Sequence, residues 1–389
     1  MVLEARVPLA WRNLTEHRWR LTSSVAGTAF AVTLMFMQNG FRQAMLDSMV
    51  QLVERLDGEV MLVSRSLYSL ALPYHFPYRR LVQARGIEGV VGSAPVTIVT
   101  RTSFWRNPEN GRQERITVIG VNPEDDVIDL EELRASRNQY RRPDTALADT
   151  LSRRDRFGTF AAGQSSELSG RRIEIVGTFH LGINSQSNGN LILSERTLAA
   201  VFPEHRAESS GDRPITIGVL RVRSGADPAR IRDRLQTGLP PDVRVLTRDQ
   251  LIARERAFWD RVAPVGTVFS IGVVMGFIVG SVICYQVLFA DISDRIGEFA
   301  TLKAIGYGDL QLFGTILLQG FYLALMGYAA GLGVSLGLFR WVREATGLPL
   351  DLAHNDPFPI LGLTLAMCLG SAALAARKLL TVDPAQLFA

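Results

Sequence analysis

Cysteine and lysine are almost missing from this 389-residue chain, and so are the usual signatures of an enzyme. The two cysteines, Cys284 and Cys368, lie inside charge-free apolar stretches. The long charged middle of the chain therefore has no thiol, no disulfide and no paired cysteines for metal or redox work. Only Lys303 and Lys378 are lysines; the other basic residues are all arginine. The five histidines stand at 17, 75, 180, 205 and 354, without metal-ligand spacing. No GxSxG elbow, HExxH pair or GxxxxGK[ST] phosphate loop occurs. These absences exclude the common hydrolase and zinc-protease patterns and leave nothing to cradle the phosphates of a nucleotide. The arginines form no basic cluster, so a pI near 9.3 and a net charge of +4 do not indicate nucleic acid.

What is present is segregation. Charge is absent from Leu21 to Phe41, from Val262 to Ala290, from Leu310 to Phe339 and from Pro357 to Ala376. A bilayer core of ~30 Å needs about 20 apolar helical residues, and a charge at a span's centre costs roughly 2.5–3.5 kcal/mol. Four uncharged runs of this length read as four transmembrane helices. The first is too long for the apolar core of a signal peptide. It follows a 20-residue charged segment and precedes no clear cleavage site, so a retained span is expected.

Orientation follows from the basic residues of the short flanks. Arg6, Arg12, Arg18, Arg20, Arg295, Lys303, Arg377 and Lys378 would share one side, against Arg340 and Arg343 on the other. The expected layout is a cytoplasmic segment 1–20, a span 21–41, an external domain with stalk helices 42–261 and a span 262–290. A cytoplasmic loop 291–309, a span 310–339, a short external loop 340–356, a span 357–376 and a cytoplasmic tail 377–389 follow. Gly272, Gly276 and Gly280 repeat every fourth residue in the second span. Gly327/Gly331 and Gly333/Gly337 do so in the third. Small residues at this spacing let helix backbones approach closely, within one subunit or across a dimer axis.

In the middle block, FRQAMLDSMVQLVERL (41–56) continues the first span as a helical stripe, and 248–261 reads as a helix leading into the second. Between them strands are expected over 59–65, within 90–105, over 115–121, 215–223 and 243–247, with helices at 79–86 and 227–237. That pattern is βαββ, an insertion, then βαβ: a split α+β subdomain carrying a second, strand-rich subdomain. The acidic PEDDVIDLEE (123–132) reads as a helix start, capped by Asn122 and opened by Pro123. The expected fold class is thus an α-helical membrane protein with four spans and a large α+β extracytoplasmic domain inserted between spans one and two.

The loop DISDRIGEFATLKAIGYGDL (291–310) places Phe299, Leu302 and Ile305 at helical spacing, flanked by Glu298 and Lys303. It resembles the REIGxRKALGA segment of MacB/FtsX-type ABC permeases: Glu298-Phe299-Ala300 matches E-I-G and Lys303-Ala304-Ile305-Gly306 matches K-A-L-G. Leu302 stands where an Arg is frequent, and Ala300 replaces the Gly. The N-terminal LAWRNLTEHRWRLTSSVAGTAFAVTLMFMQNGF (9–41), LGINSQSNGNLILSE (181–195), GEFATLKAIGY (297–307) and the C-terminal DPAQLF (383–388) are similar to the DevC branch of that family.

The resemblance implies a type VII permease subunit without catalysis of its own, in a bacterial inner membrane. Its external domain would correspond to the porter and sabre parts of the family. It further implies a homodimer, a separate ABC ATPase that binds the ATP and Mg, a periplasmic membrane-fusion protein and a TolC-like outer-membrane channel. Arg295, Glu298, Phe299, Leu302, Lys303, Ile305 and Gly306 would form the helix that docks on the ATPase. The leading expectation is an exporter of a lipid, glycolipid or other hydrophobic substrate, driven by mechanotransmission. A lipoprotein-releasing permease, an FtsX-like regulator of a cell-wall hydrolase and a membrane-anchored enzyme are the alternatives.

Overall fold

The structure, a computed structural model, describes residues 18–184, 187–207, 212–262, 264–346, 350 and 357–380. Arg6, Arg12 and the DPAQLF segment lie outside the described residues. The chain divides into two compact units. One comprises residues 1–44, 264–346 and 350–389, the other residues 45–263 and 347–349.

The first unit is built on four helices long and apolar enough to cross a membrane. They run Arg18–Ser48, Pro264–Asp294, Asp309–Thr346 and Phe358–Leu380. All are longer than the charge-free runs that marked them. The third has 38 residues and is about 57 Å long, well over a ~30 Å hydrocarbon core. Its core is made by helix faces meeting: Val32, Met35 and Phe36 of the first helix pack with Phe339, Val342 and Ile360. Ala31, Cys284, Leu323 and Cys368 make a neighbouring cluster.

The second unit is α+β. Its strands are β1 (Val60–Ser64), β2 (Phe76–Pro77), β3 (Val90–Val99), β4 (Phe104–Arg106), β5 (Gln113–Arg115), β6 (Thr117–Val121) and β7 (Thr145–Asp149). They continue with β8 (Ser165–Leu168), β9 (Arg171–Phe179), β10 (Asn190–Ser194), β11 (Pro214–Ile215), β12 (Ile217–Val222) and β13 (Val243–Thr247). Four of them lie side by side as β13-β1-β12-β3, each antiparallel to its neighbours. Helix Arg79–Arg85 joins β1 to β3, and helix Pro228–Gly238 joins β12 to β13. The result is two interleaved split βαβ units, the ferredoxin-like arrangement expected from the two flanks of the block.

Strand β1 shows why this sheet is stable. Val60 and Leu62 enter the cluster under the two helices, with Leu81, Ile231 and Leu235. Met61 and Val63 enter the cluster on the opposite face. Both faces of β1 are covered, so its five residues are all buried instead of alternating.

The inserted part is not a separate sheet. β3 also pairs with β6, and the ladder continues as β6-β10-β7-β9-β8-β4-β5, giving eleven strands in one sheet. Two pairs within it, β6–β10 and β7–β9, are parallel. Two local expectations give way. The stripe over 42–57 is broken after Ser48, where Met49 and Val50 bond back three residues. A single turn, Gln51–Glu54, then carries Val53 into the core. Asn122 caps no helix: its side chain accepts from the Glu124 N–H in a turn, Asp126 is left-handed, and the helix starts only at Glu131.

Candidate functional site

Between the second and third membrane helices lies a nine-residue helix, Ile296–Ala304. Its C-terminal end is built from the KAIGYGDL residues themselves. Gly306 has φ +107°, a left-handed conformation that L side chains resist. In that conformation the Tyr307 N–H reaches the Leu302 carbonyl (3.0 Å) and the Gly306 N–H reaches Lys303 (3.1 Å), a Schellman stop. Two residues later the third span begins. Gln311 Oε1 accepts from the Gly308 N–H (3.2 Å), while the Gly308 carbonyl accepts from the Gln311 N–H (3.0 Å), a reciprocal cap. Asp309 sits in the positive first turn, and Lys303 Nζ meets its carboxylate at 2.9 Å.

Burial divides the seven expected docking residues. Phe299 is only 3% exposed and packs with Leu288, Ile292, Leu312 and Ile316, with Leu302 half-buried beside them. Arg295 is buried too, with its guanidinium 3.3 Å from Asp291 and 4.0 Å from Glu298. These residues hold the helix to the membrane unit and do not present it. Lys303 is half-buried in its ion pair. The outward set is Glu298, Ile305 (73% exposed) and Gly306, joined by Tyr307 and by Leu310 at 82%. Tyr307 and Leu310 were not singled out from the sequence. A pattern that runs from one helix through a turn into another has no single period.

The glycine steps resolve into seams around the first membrane helix. A Cβ on Gly272 would strike the Gln38 side chain, and one on Gly276 would lie 3.1 Å from Met35. At Gly280 it would meet Ala31 at 2.7 Å. Gly327 faces Thr28, and Gly331 faces Val32 (2.7 Å) and the Ala29 carbonyl (2.9 Å). Thr33 adds a hydroxyl bond to the Gly331 carbonyl at 3.3 Å. All five glycines thus pack against the first helix of the same chain, Gly280 also meeting Met367 of the fourth, which is the close approach within one subunit that their spacing allows. Gly333 and Gly337 have open space where a Cβ would be.

No cluster of three or more His, Cys, Asp or Glu able to hold a metal exists among the described residues. Residues 270–384 match the family model described as FtsX-like permease C-terminal. Over its whole length the chain is 24% identical to an uncharacterized ABC transporter permease of Mycobacterium tuberculosis, the alignment covering 99% of that relative. The extracellular domain of the noncanonic ABC-type transporter YknZ from Gram-positive bacteria is 15% identical, with 49% of this chain and 98% of that domain covered at a TM-score of 0.34. The periplasmic region of MacB from Actinobacillus actinomycetemcomitans is 10% identical, with 51% and 92% covered at a TM-score of 0.34. Residues 270–384 are thus similar to FtsX-like permease C-terminal domains, and the chain as a whole is similar to ABC transporter permeases.

Proposed function

We propose that this chain is the transmembrane subunit of an ABC exporter. A separate ATPase docks on the surface formed by Glu298, Ile305, Gly306, Tyr307 and Leu310, and its motion is transmitted to the α+β unit. The observation that supports this most is the construction of the 296–304 helix. An amphipathic helix resting on a lipid surface would turn its large apolar residues to the bilayer. Here Phe299 packs inward on the membrane helices, and apolar side chains are left exposed at the turn. A short helix anchored at both ends, with an exposed apolar edge, suits a groove in a protein partner.

In this reading both termini and the 295–310 segment are cytoplasmic and the α+β unit lies outside a bacterial inner membrane. The subunit works as a dimer, and a membrane-fusion protein with a TolC-like channel completes an export path. ATP and Mg belong to the partner. Mechanotransmission is favoured over a polar path through the spans by their hydroxyls, which bond mainly to nearby carbonyls. Thr28, Ser335 and Thr364 each reach the residue four back.

The test is reconstitution of the full chain in nanodiscs with a candidate partner ABC ATPase. The ATPase should be stimulated by the chain, and Ile305→Asp with Leu310→Asp should remove the stimulation while the chain remains inserted. Equal stimulation by the double variant would refute the docking surface.

A further inference from the structure

The α+β unit contains a cavity of about 270 Å³ for which the coupling reading has no use. Its floor is apolar: Leu52, Leu70, Ile98, Ile119 and Leu181 line it, and the middle three are buried. Its rim is cationic. Arg101, just after β3, and Arg115, which ends β5, both line the cavity and are both exposed.

These two arginines differ from many others in the unit. Arg171 pairs with Asp144 at 2.5 Å, Arg213 with Glu195 at 2.7 Å and Arg256 with Asp47 at 2.8 Å. Among the described residues no carboxylate lies within 4.0 Å of Arg101 or Arg115. Arg115 lies 6.0 Å from the Phe104 ring centroid, at the limit of a cation–π contact. Two guanidinium groups without a carboxylate partner, at the mouth of a cavity with an apolar floor and polar walls, are poised for an anionic oxygen group.

The one carboxylate in the wall is already engaged. Glu255 accepts from the Leu70 N–H at 3.0 Å and from the Ser69 hydroxyl at 2.9 Å. Burial pushes its pKa up, which favours the uncharged form and weakens any repulsion of an anion. The opposite wall is braced. Buried Asp149 accepts from the Gly182 N–H (2.9 Å) and from Asn190 Nδ2 (2.8 Å), and Asn190 also donates to the Gly182 carbonyl (2.7 Å). The cavity is therefore formed before any ligand arrives.

The geometry points to a binding site for an anionic amphiphile, with its hydrocarbon chain on the Leu70–Ile98–Ile119 floor and its carboxylate or phosphate head on Arg101 and Arg115. The volume falls just below the ~300–1,000 Å³ of typical ligand sites, so it suits a single chain better than a two-chain lipid. As the exporter's cargo such a molecule would rest on the function proposed above. As a ligand of this unit it does not.

The test uses the full chain in amphipol, without ATP or ATPase, and a palmitate analogue bearing a diazirine. Photolabel should appear on peptides spanning 48–52, 70–72 and 255–259. Arg101→Glu with Arg115→Glu should lower that labelling at least tenfold and leave labelling of the spans unchanged. Ala71→Trp, which fills the cavity from a half-buried wall position, should abolish it. The matching uncharged alcohol should label these peptides at least tenfold less than the acid. The site is refuted if label falls only on the spans, or if the acid and the alcohol label the cavity equally in both the native chain and the charge-reversed one. Failure of ATPase stimulation with intact cavity labelling would sink the transport reading and leave this site standing.

Discussion

Lys303 and Asp309 form an ion pair of 2.9 Å across the turn that separates the 296–304 helix from the third span. The pair is partly solvated, so it stabilises by only ~0–1 kcal/mol. The turn itself depends more on Gly306, whose φ of +107° would cost a substituted residue about 1–2 kcal/mol. Lys303→Ala should leave ATPase stimulation within about twofold of the native value, whereas Gly306→Val should remove most of it with the chain still inserted. The reverse ranking would show that charge, and not the shape of the turn, makes the contact.

The glycines of the seams and the open glycines should behave differently. Gly331→Leu would drive a side chain into Val32 and the Ala29 carbonyl, and overpacking of this kind costs ~1–3 kcal/mol. Gly337→Leu meets nothing within 4 Å. Thermal unfolding in detergent should show a lower midpoint for the first and little change for the second. If Gly337→Leu instead abolished a purified dimer, this open stretch of the third helix would be the subunit interface.

Gln319 is 1% exposed in the third helix, and neither its Oε1 nor its Nε2 has a hydrogen-bond partner among the described residues. A buried unsatisfied amide costs about 1–3 kcal/mol, and an apolar residue of similar shape removes that cost. Gln319→Leu should raise the unfolding midpoint and preserve ATPase stimulation. A stabilised variant that no longer couples would place a polar step inside the spans, against mechanotransmission.

In the α+β unit the rings of His75 and His205 meet edge to face, with centroids 4.7 Å apart. Burial lowers the pKa of both, and the neighbouring His205 lowers His75 further; Glu204 and backbone contacts act in the opposite direction. The unfolded chain therefore takes up protons first as pH falls. Stability from this pair is fully present above the unfolded value of about 6.5 and is lost below it, toward the lower folded values. Unfolding monitored between pH 8 and 5 should show this loss, and His75→Phe with His205→Phe should flatten it. Glu255 acts with the opposite sign: its raised pKa favours stability at low pH and loses it as pH rises through the folded value. Glu255→Gln should accordingly stabilise the unit most at neutral pH and above.

The four spans and the split βαβ core were legible because each rests on one local signal. A charge-free run marks each span, and β1, β12 and β13 are short apolar segments bounded by turns. The continuous sheet was not legible, because it depends on Val96–Val99 pairing with Val118–Val121 and on β6 lying parallel to β10, which is distant in sequence. The structure of the 295–310 loop was half legible. Its KAIG residues marked the place, but whether Phe299 faces inward or outward is decided by Ile292 and Leu312 on neighbouring helices. The cavity had no sequence signal at all, since Leu52, Ile98, Leu181 and Arg115 come from four separate segments.

In the proposed function a partner ATPase acts at the Ile305–Leu310 edge. A photo-crosslinking residue at 305 or 310, introduced into the full chain in living cells, tests it most directly. One dominant product is expected, identified as an ABC ATPase carrying its own phosphate loop, with loss of that product when the crosslinker is moved to buried position 299. Capture of an extracytoplasmic protein from 305, or of the ATPase from a residue of the α+β unit such as Tyr68, would contradict the orientation and the coupling together.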